Sequence, residues 1–81
     1  MTVEEAGRAL EQWGERIDAL QRRGIRSRGL DRLAATHDNL LRIHHAVTPS
    51  TPAAAVERFV LRTGKFAEEA ARVLGELAAQ L

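Results

Sequence analysis

The chain contains no cysteine and no tyrosine, a single tryptophan, two phenylalanines and one lysine. Without cysteine there is neither a disulfide nor a thiolate metal site, so stability rests on packing, which suits a reducing compartment. With so few aromatic rings the core has to be aliphatic, and the 44% hydrophobic fraction is mostly alanine and leucine. No run approaches the roughly 18 uninterrupted apolar residues of a membrane span. Glu4 and Glu5 stand where a secretion signal would carry basic residues before an apolar run, so a cytoplasmic location is the default expectation. Alternating β-branched runs and Asn-Gly or Asp-Gly hairpin signals are missing, so no strand is expected. A Gly-rich phosphate loop is missing too, and Ser27 and Ser50 fall in loops with nothing to orient a base. The formal charge of +1 gives the whole molecule no strong field for nucleic acid or membrane.

What the sequence does have is apolar residues at steps of three and four. Thr2 and Glu5 have the spacing of a capping box, and Val3, Ala6, Leu10, Trp13, Ile17 and Leu20 follow as one helical seam. Glu4 and Glu5 at its start and Arg22 and Arg23 at its end complement the helix dipole, and Gly24 is a natural C-cap. Trp13, in mid-seam, reads as core. Leu30, Leu33, His37, Leu40, His44 and Val47 form a second seam, broadened by Ala34, Leu41 and Ile43. An apolar arc that wide suits a helix between two neighbours. Pro49 and Pro52 end it. Thr51 as N-cap and Pro52 at the first helical position then open a third helix, with a seam from Val56 and Phe59 through Phe66 and Leu74 to Leu81. On its polar face Glu68 and Glu76 each stand four residues from Arg72, close enough to pair.

These 81 residues make one domain. The expected fold is all-α, an antiparallel up-down-up three-helix bundle with helices over about 3–23, 30–47 and 52–80 and a long C-terminal helix. So short a chain buries only roughly 60–65% of its unfolded surface, and thin cores of this kind often gain stability by oligomerising. At 1.5 Å per residue the helices span roughly 31, 27 and 45 Å. The third should pass the level of the first loop near Ala71. Val73, Leu74, Leu77 and Leu81 would then lack cover within the chain, unless Ile25 and Leu30 fold up against them. Uncovered apolar turns usually mark a partner or self-association surface.

His37, His44 and His45 do not have metal-site spacing. A helical pair sharing zinc sits at i and i+4, whereas His37 and His44 lie seven apart and His44 and His45 point about 100° apart. The expectation is that His37 and His44 border the seam, that His45 is exposed, and that no metal or cofactor is bound. Arg32 and His37 form Arg-x4-His, which resembles the signature of helical HEPN ribonucleases. That resemblance implies an Arg32–His37 catalytic pair acting on RNA, in a family whose usual core has four to five helices. Arg16-Ile17-Asp18-Ala19-Leu20 looks like the opening of helical chorismate mutases, but Gly24 stops the helix where that family's would continue, and the reading is set aside.

The most distinctive local feature is basic: Arg22, Arg23, Arg26, Arg28 and Arg32, opposed nearby only by Asp31. Arginine forks suit carboxylates and phosphates. Interleaved aromatics and a basic recognition helix, which a nucleic-acid site would add, are missing. The reading is therefore a non-catalytic protein–protein interaction module, an adaptor, assembly factor, inhibitor or antitoxin-like neutraliser. Its surface joins Val73, Leu74, Leu77 and Leu81 to Arg22, Arg23, Arg26, Arg28 and Arg32, facing an acidic protein partner, and a homodimer is expected through the same leucine-rich turns. The alternative is nucleic-acid binding by the Arg22–Arg32 cluster, and a HEPN-like ribonuclease follows behind it.

Overall fold

Thr2 and Glu5 start the first helix as their spacing predicts. The Thr2 N–H donates to Glu5 Oε1 at 2.9 Å and the Glu5 N–H donates to Thr2 Oγ1 at 3.1 Å, so two orphan donors are satisfied reciprocally. The computed structural model describes residues 1–81, in three helices: α1 (Val3–Arg22), α2 (Arg28–Ala46) and α3 (Ala53–Gln80). Gly24 takes φ +80° just past the α1 C-cap, a left-handed conformation in which a side chain would clash.

The other two helix starts differ from expectation. α2 begins two residues early, at Arg28, because Ser27 is extended and its Oγ accepts from the Leu30 N–H at 3.0 Å. That is an N-cap, and it draws Gly29 into the helix. For α3 the cap is Pro52, with no side-chain capping bond. Thr51 is not the cap, because its Oγ1 accepts from the Thr48 N–H at 2.8 Å and ties the connection to itself.

All three helices pack on one another around Leu10, Leu30, Leu40 and Phe59, each essentially fully buried, with Ile17, Leu33, Phe66, Ala70, Val73 and Leu74 continuing the core. Each of the leucine, isoleucine, valine and phenylalanine side chains taken from water stabilises the fold by roughly 1.5–3 kcal/mol. Two layers repeat one heptad apart. In one, His44 lies between Gly7 of α1 and Phe59 of α3; in the other, His37 lies between Gly14 and Phe66. A Cβ at Gly7 would stand 2.8 Å from Cε1 of His44, and one at Gly14 would stand 2.8 Å from Cε1 of His37. The two glycines are what let α2 place imidazoles against the α1 backbone. The rings are not equivalent: His37 Nε2 donates to the Leu10 carbonyl at 2.7 Å, whereas His44 Nδ1 is buried without a partner. The Thr63 hydroxyl, in a fully buried side chain, also lacks one.

With 28 residues, α3 sets the 44 Å long dimension of the molecule. It does outrun its neighbours, but by less than the expected margin. Val73 and Leu74 are covered, at 7% and 8% exposure, which corrects the expectation that they project bare. The early start of α2 brings Gly29 against Val73, and Leu20 and Ile25 pack on the same cluster. Leu77 is half-buried, and only Leu81 of the four remains exposed, at 65%. No helix is long and apolar enough to cross a membrane.

Candidate functional site

Three helices leave three external grooves, and their chemistries differ. The α1–α2 groove is the largest, about 900 Å³, and it is acidic: Glu4, Glu11, Glu15, Asp18 and Asp38 line it against Arg8, with His37, His44 and His45 on the α2 side. The histidines stand as expected, two half-buried at the seam and His45 exposed. His37 Nδ1 lies 3.6 Å from Asp38, but no three His, Asp or Glu side chains converge in a way that would hold a metal ion.

The α2–α3 face is basic. One stretch is lined by Arg32, Thr36, Arg62, Lys65 and Glu69 above Leu33 and Phe66. The next is lined by Arg28, Arg32, Arg72, Glu69 and Glu76 beside Val73 and Leu77. Arg72 spans both acids, Glu69 and Glu76, rather than Glu68 and Glu76 as the spacing suggested. Those carboxylates hold its guanidinium protonated beyond the usual arginine range, the Glu69 hydrogen bond contributing most. Arg28, Arg32, Arg62 and Lys65 have no ion pair. Arg32 opens here while His37 bonds to α1 on the other side, so the Arg-x4-His pair is not assembled into one site.

The α1–α3 groove, about 440 Å³, is apolar. Trp13, Ala19 and Leu20 form its α1 side and Ala71, Leu74, Gly75 and Ala78 its α3 side; Arg16 and Arg23 are its only charged lining residues. A Cβ at Gly75 would meet nothing within 4 Å, so that part of the floor lies open. The Arg16 guanidinium lies 5.0 Å from the Trp13 ring centroid, a distance at which the ring's quadrupole attracts a cation. Trp13 is only half-buried, one side on the core and the other on the groove, which revises its reading as purely core.

Of the residues expected to form one surface, the structure brings Arg23 beside Leu74, and Arg28 and Arg32 beside Val73 and Leu77. These are two adjacent grooves on either side of α3, not one patch. Arg22 is held by Asp18 at 2.7 Å, Arg26 stays exposed on the loop, and Leu81 lies beyond both grooves. Sequence reasoning missed Arg16, Trp13 and the floor of Ala71, Gly75 and Ala78. Ala71, Gly75 and Ala78 do recur at steps of four and three along α3, but that spacing alone does not say which helix faces them. Sequence reasoning likewise missed Arg62 and Lys65, which extend the arginine cluster across the α2–α3 face.

The molecule is thus a small all-helical bundle with one acidic, one basic and one apolar, arginine-rimmed groove. No protein-family model, curated protein or solved structure matches the chain.

Proposed function

We propose that this chain is a non-catalytic protein-interaction module acting in the cytoplasm, as an adaptor, assembly factor, inhibitor or antitoxin-like neutraliser. The observation that carries the reading is the α1–α3 groove, where apolar side chains and open backbone stay accessible beside two arginines with no ion pair. Apolar anchors give an interface its affinity, while charges on its rim steer and orient the partner. Arg28 and Arg32 with Val73 and Leu77 continue the surface around α3.

The test is covalent capture in the native host from a photo-crosslinker placed at Ala78, in the native chain and in Ala71→Arg. The expected result is one protein captured by the first and lost from the second. Equal capture by both would remove the groove from the function. A homodimer on the same groove would appear as a doubled mass in light scattering that Ala71→Arg halves.

A second reading has its own observation: Arg28, Arg32, Arg62 and Lys65, all without ion pairs, on the α2–α3 face. If that face binds nucleic acid, affinity for a random duplex falls steeply between roughly 50 and 200 mM salt, because each phosphate contact releases counterions. No binding at low salt excludes it.

A further inference from the structure

We infer that the α1–α3 groove receives a single amphipathic helix of another protein. The helix would lie along Trp13 and Leu74 and place two carboxylates, about two turns apart, on Arg16 and Arg23. The inference rests on the protein-interaction reading and names the partner's chemistry.

Three features of the groove select this occupant. Its floor on α3 is small at Ala71, Gly75 and Ala78, and nothing fills the space above Gly75. A helix can approach such a floor at close interaxial distance, whereas a bulky floor would hold it off. Second, the groove contains no acid; its two charges are both guanidinium. Neither has an ion pair, and no carboxylate lines the groove to compensate them, unlike the α2–α3 face, where Glu69 and Glu76 stand among the cations. Third, Arg16 and Arg23 stand seven residues apart on one helix, about 10.5 Å along its axis. A partner helix aligned with the groove meets that spacing with residues i and i+7 on one side, adjacent to the stripe it buries. Stacking on Trp13 fixes where the Arg16 guanidinium sits before a partner arrives, which lowers the ordering cost of binding.

A second copy of this chain does not complement the groove. Glu4, Glu11, Glu15 and Asp38 of a second copy line its wide α1–α2 groove, and its exposed large apolar residues are Met1, Leu61 and Leu81. Two grooves placed face to face would bring four like-charged guanidinium groups together. A nucleic acid would find two cations on an apolar wall. The complement is a helix with apolar anchors and acidic flanks.

The test is selection of helices, randomised on one face, from a displayed library against the full chain, with synthetic copies of the winners read by the emission of the lone Trp13. The expected winners carry apolar residues flanked by carboxylates at i and i+7, and they shift Trp13 emission on binding. Charge reversal in Arg16→Glu with Arg23→Glu, both at exposed positions, should weaken binding by about tenfold or more. Replacing the peptide's two carboxylates by lysine should restore it in that variant. Unchanged helical circular dichroism and melting temperature in the variant keep the comparison one of binding. Winners without the acidic pair, winners that leave Trp13 unchanged, or no winners at all would overturn the inference, as would a homodimer abolished by Ala71→Arg. If host capture through the groove succeeds while no acidic helix is selected, the interaction module stands and this partner falls. If neither succeeds, both fall.

Discussion

The first helix is packed on two sides by opposite means. Toward α2 it presents Gly7 and Gly14, and the space a side chain would fill is taken by His44 and His37, so beneath the wide acidic groove that seam is closed and keyed at both levels. Toward α3 it presents Trp13 and Leu20 over Ala71, Gly75 and Ala78, and that seam is left open, apolar and rimmed by arginine. Glycine occurs in both, for different reasons. Gly7 and Gly14 are required by a close approach within the chain, whereas Gly64 and Gly75 have nothing within 4 Å of where a Cβ would be.

The sharpest way to break this contrast is to add the same methyl group on both sides. Gly14→Ala drives a Cβ into a ring held by the Leu10 carbonyl, with Phe66 behind it. Overpacking of that kind costs roughly 1–3 kcal/mol, offset by up to about 1 kcal/mol of better helix propensity. Thermal melts should show a clear drop in Gly14→Ala and partial recovery when His37→Ala is added. A variant as stable as the native chain would mean the seam is not keyed. Next in size is the difference between the two rings of the closed seam. His37→Phe loses a hydrogen bond worth about 0.5–1.5 kcal/mol, whereas His44→Phe removes a buried nitrogen that has no partner. His37→Phe should therefore melt lower and His44→Phe should be neutral or better. Where no neighbour stands over the glycine, Gly64→Ala and Gly75→Ala should each stabilise by about 0.5–1 kcal/mol. Gly75→Ala should also weaken partner binding, because it raises the groove floor. Destabilisation by Gly75→Ala would show that the open seam is also tightly packed.

The bundle was legible because each helix states its own inside face: Val3 to Leu20, Leu30 to Val47 and Val56 to Leu74 all step by three and four. The ends were less so. Ser27 is one of several polar residues in a glycine-flanked loop, and only the chain path shows that it caps α2. That two-residue shift decides whether Val73 is bare or covered, since it sets Gly29 beside it. Periodicity reveals which side of a helix turns inward but not how far the neighbour extends along it. The candidate site was half legible for the same reason. Arg23, Arg28 and Arg32 stood out as a cluster, and all three border the grooves on either side of α3. Trp13 read as core because a mid-seam tryptophan normally is. Arg16 and the small residues opposite it acquire meaning only once α1 and α3 lie side by side.

The smallest expected effect separates both seams from the end of the helix they share. At the start of α1, the Thr2 backbone N–H, and after it the Thr2 hydroxyl, hold the Glu5 carboxyl below its ordinary pKa. The folded chain therefore gives up that proton more readily than the unfolded one. The stabilisation is complete above the ordinary carboxylate range and is lost as pH falls through the lower folded value. Glu5→Gln can still close a capping box but carries no charge. It should melt slightly below the native chain near about pH 7, and the gap should narrow as pH falls below the ordinary carboxylate range and close once both side chains are neutral. Glu5 lines neither the α1–α2 nor the α1–α3 groove, so the gap should be the same in a Gly14→Ala background as in the native one, distant sites being additive. A gap that changed with Gly14→Ala would mean that the closed seam reaches the helix cap, and that α1 is held along its whole length by α2 rather than shared between two independent faces.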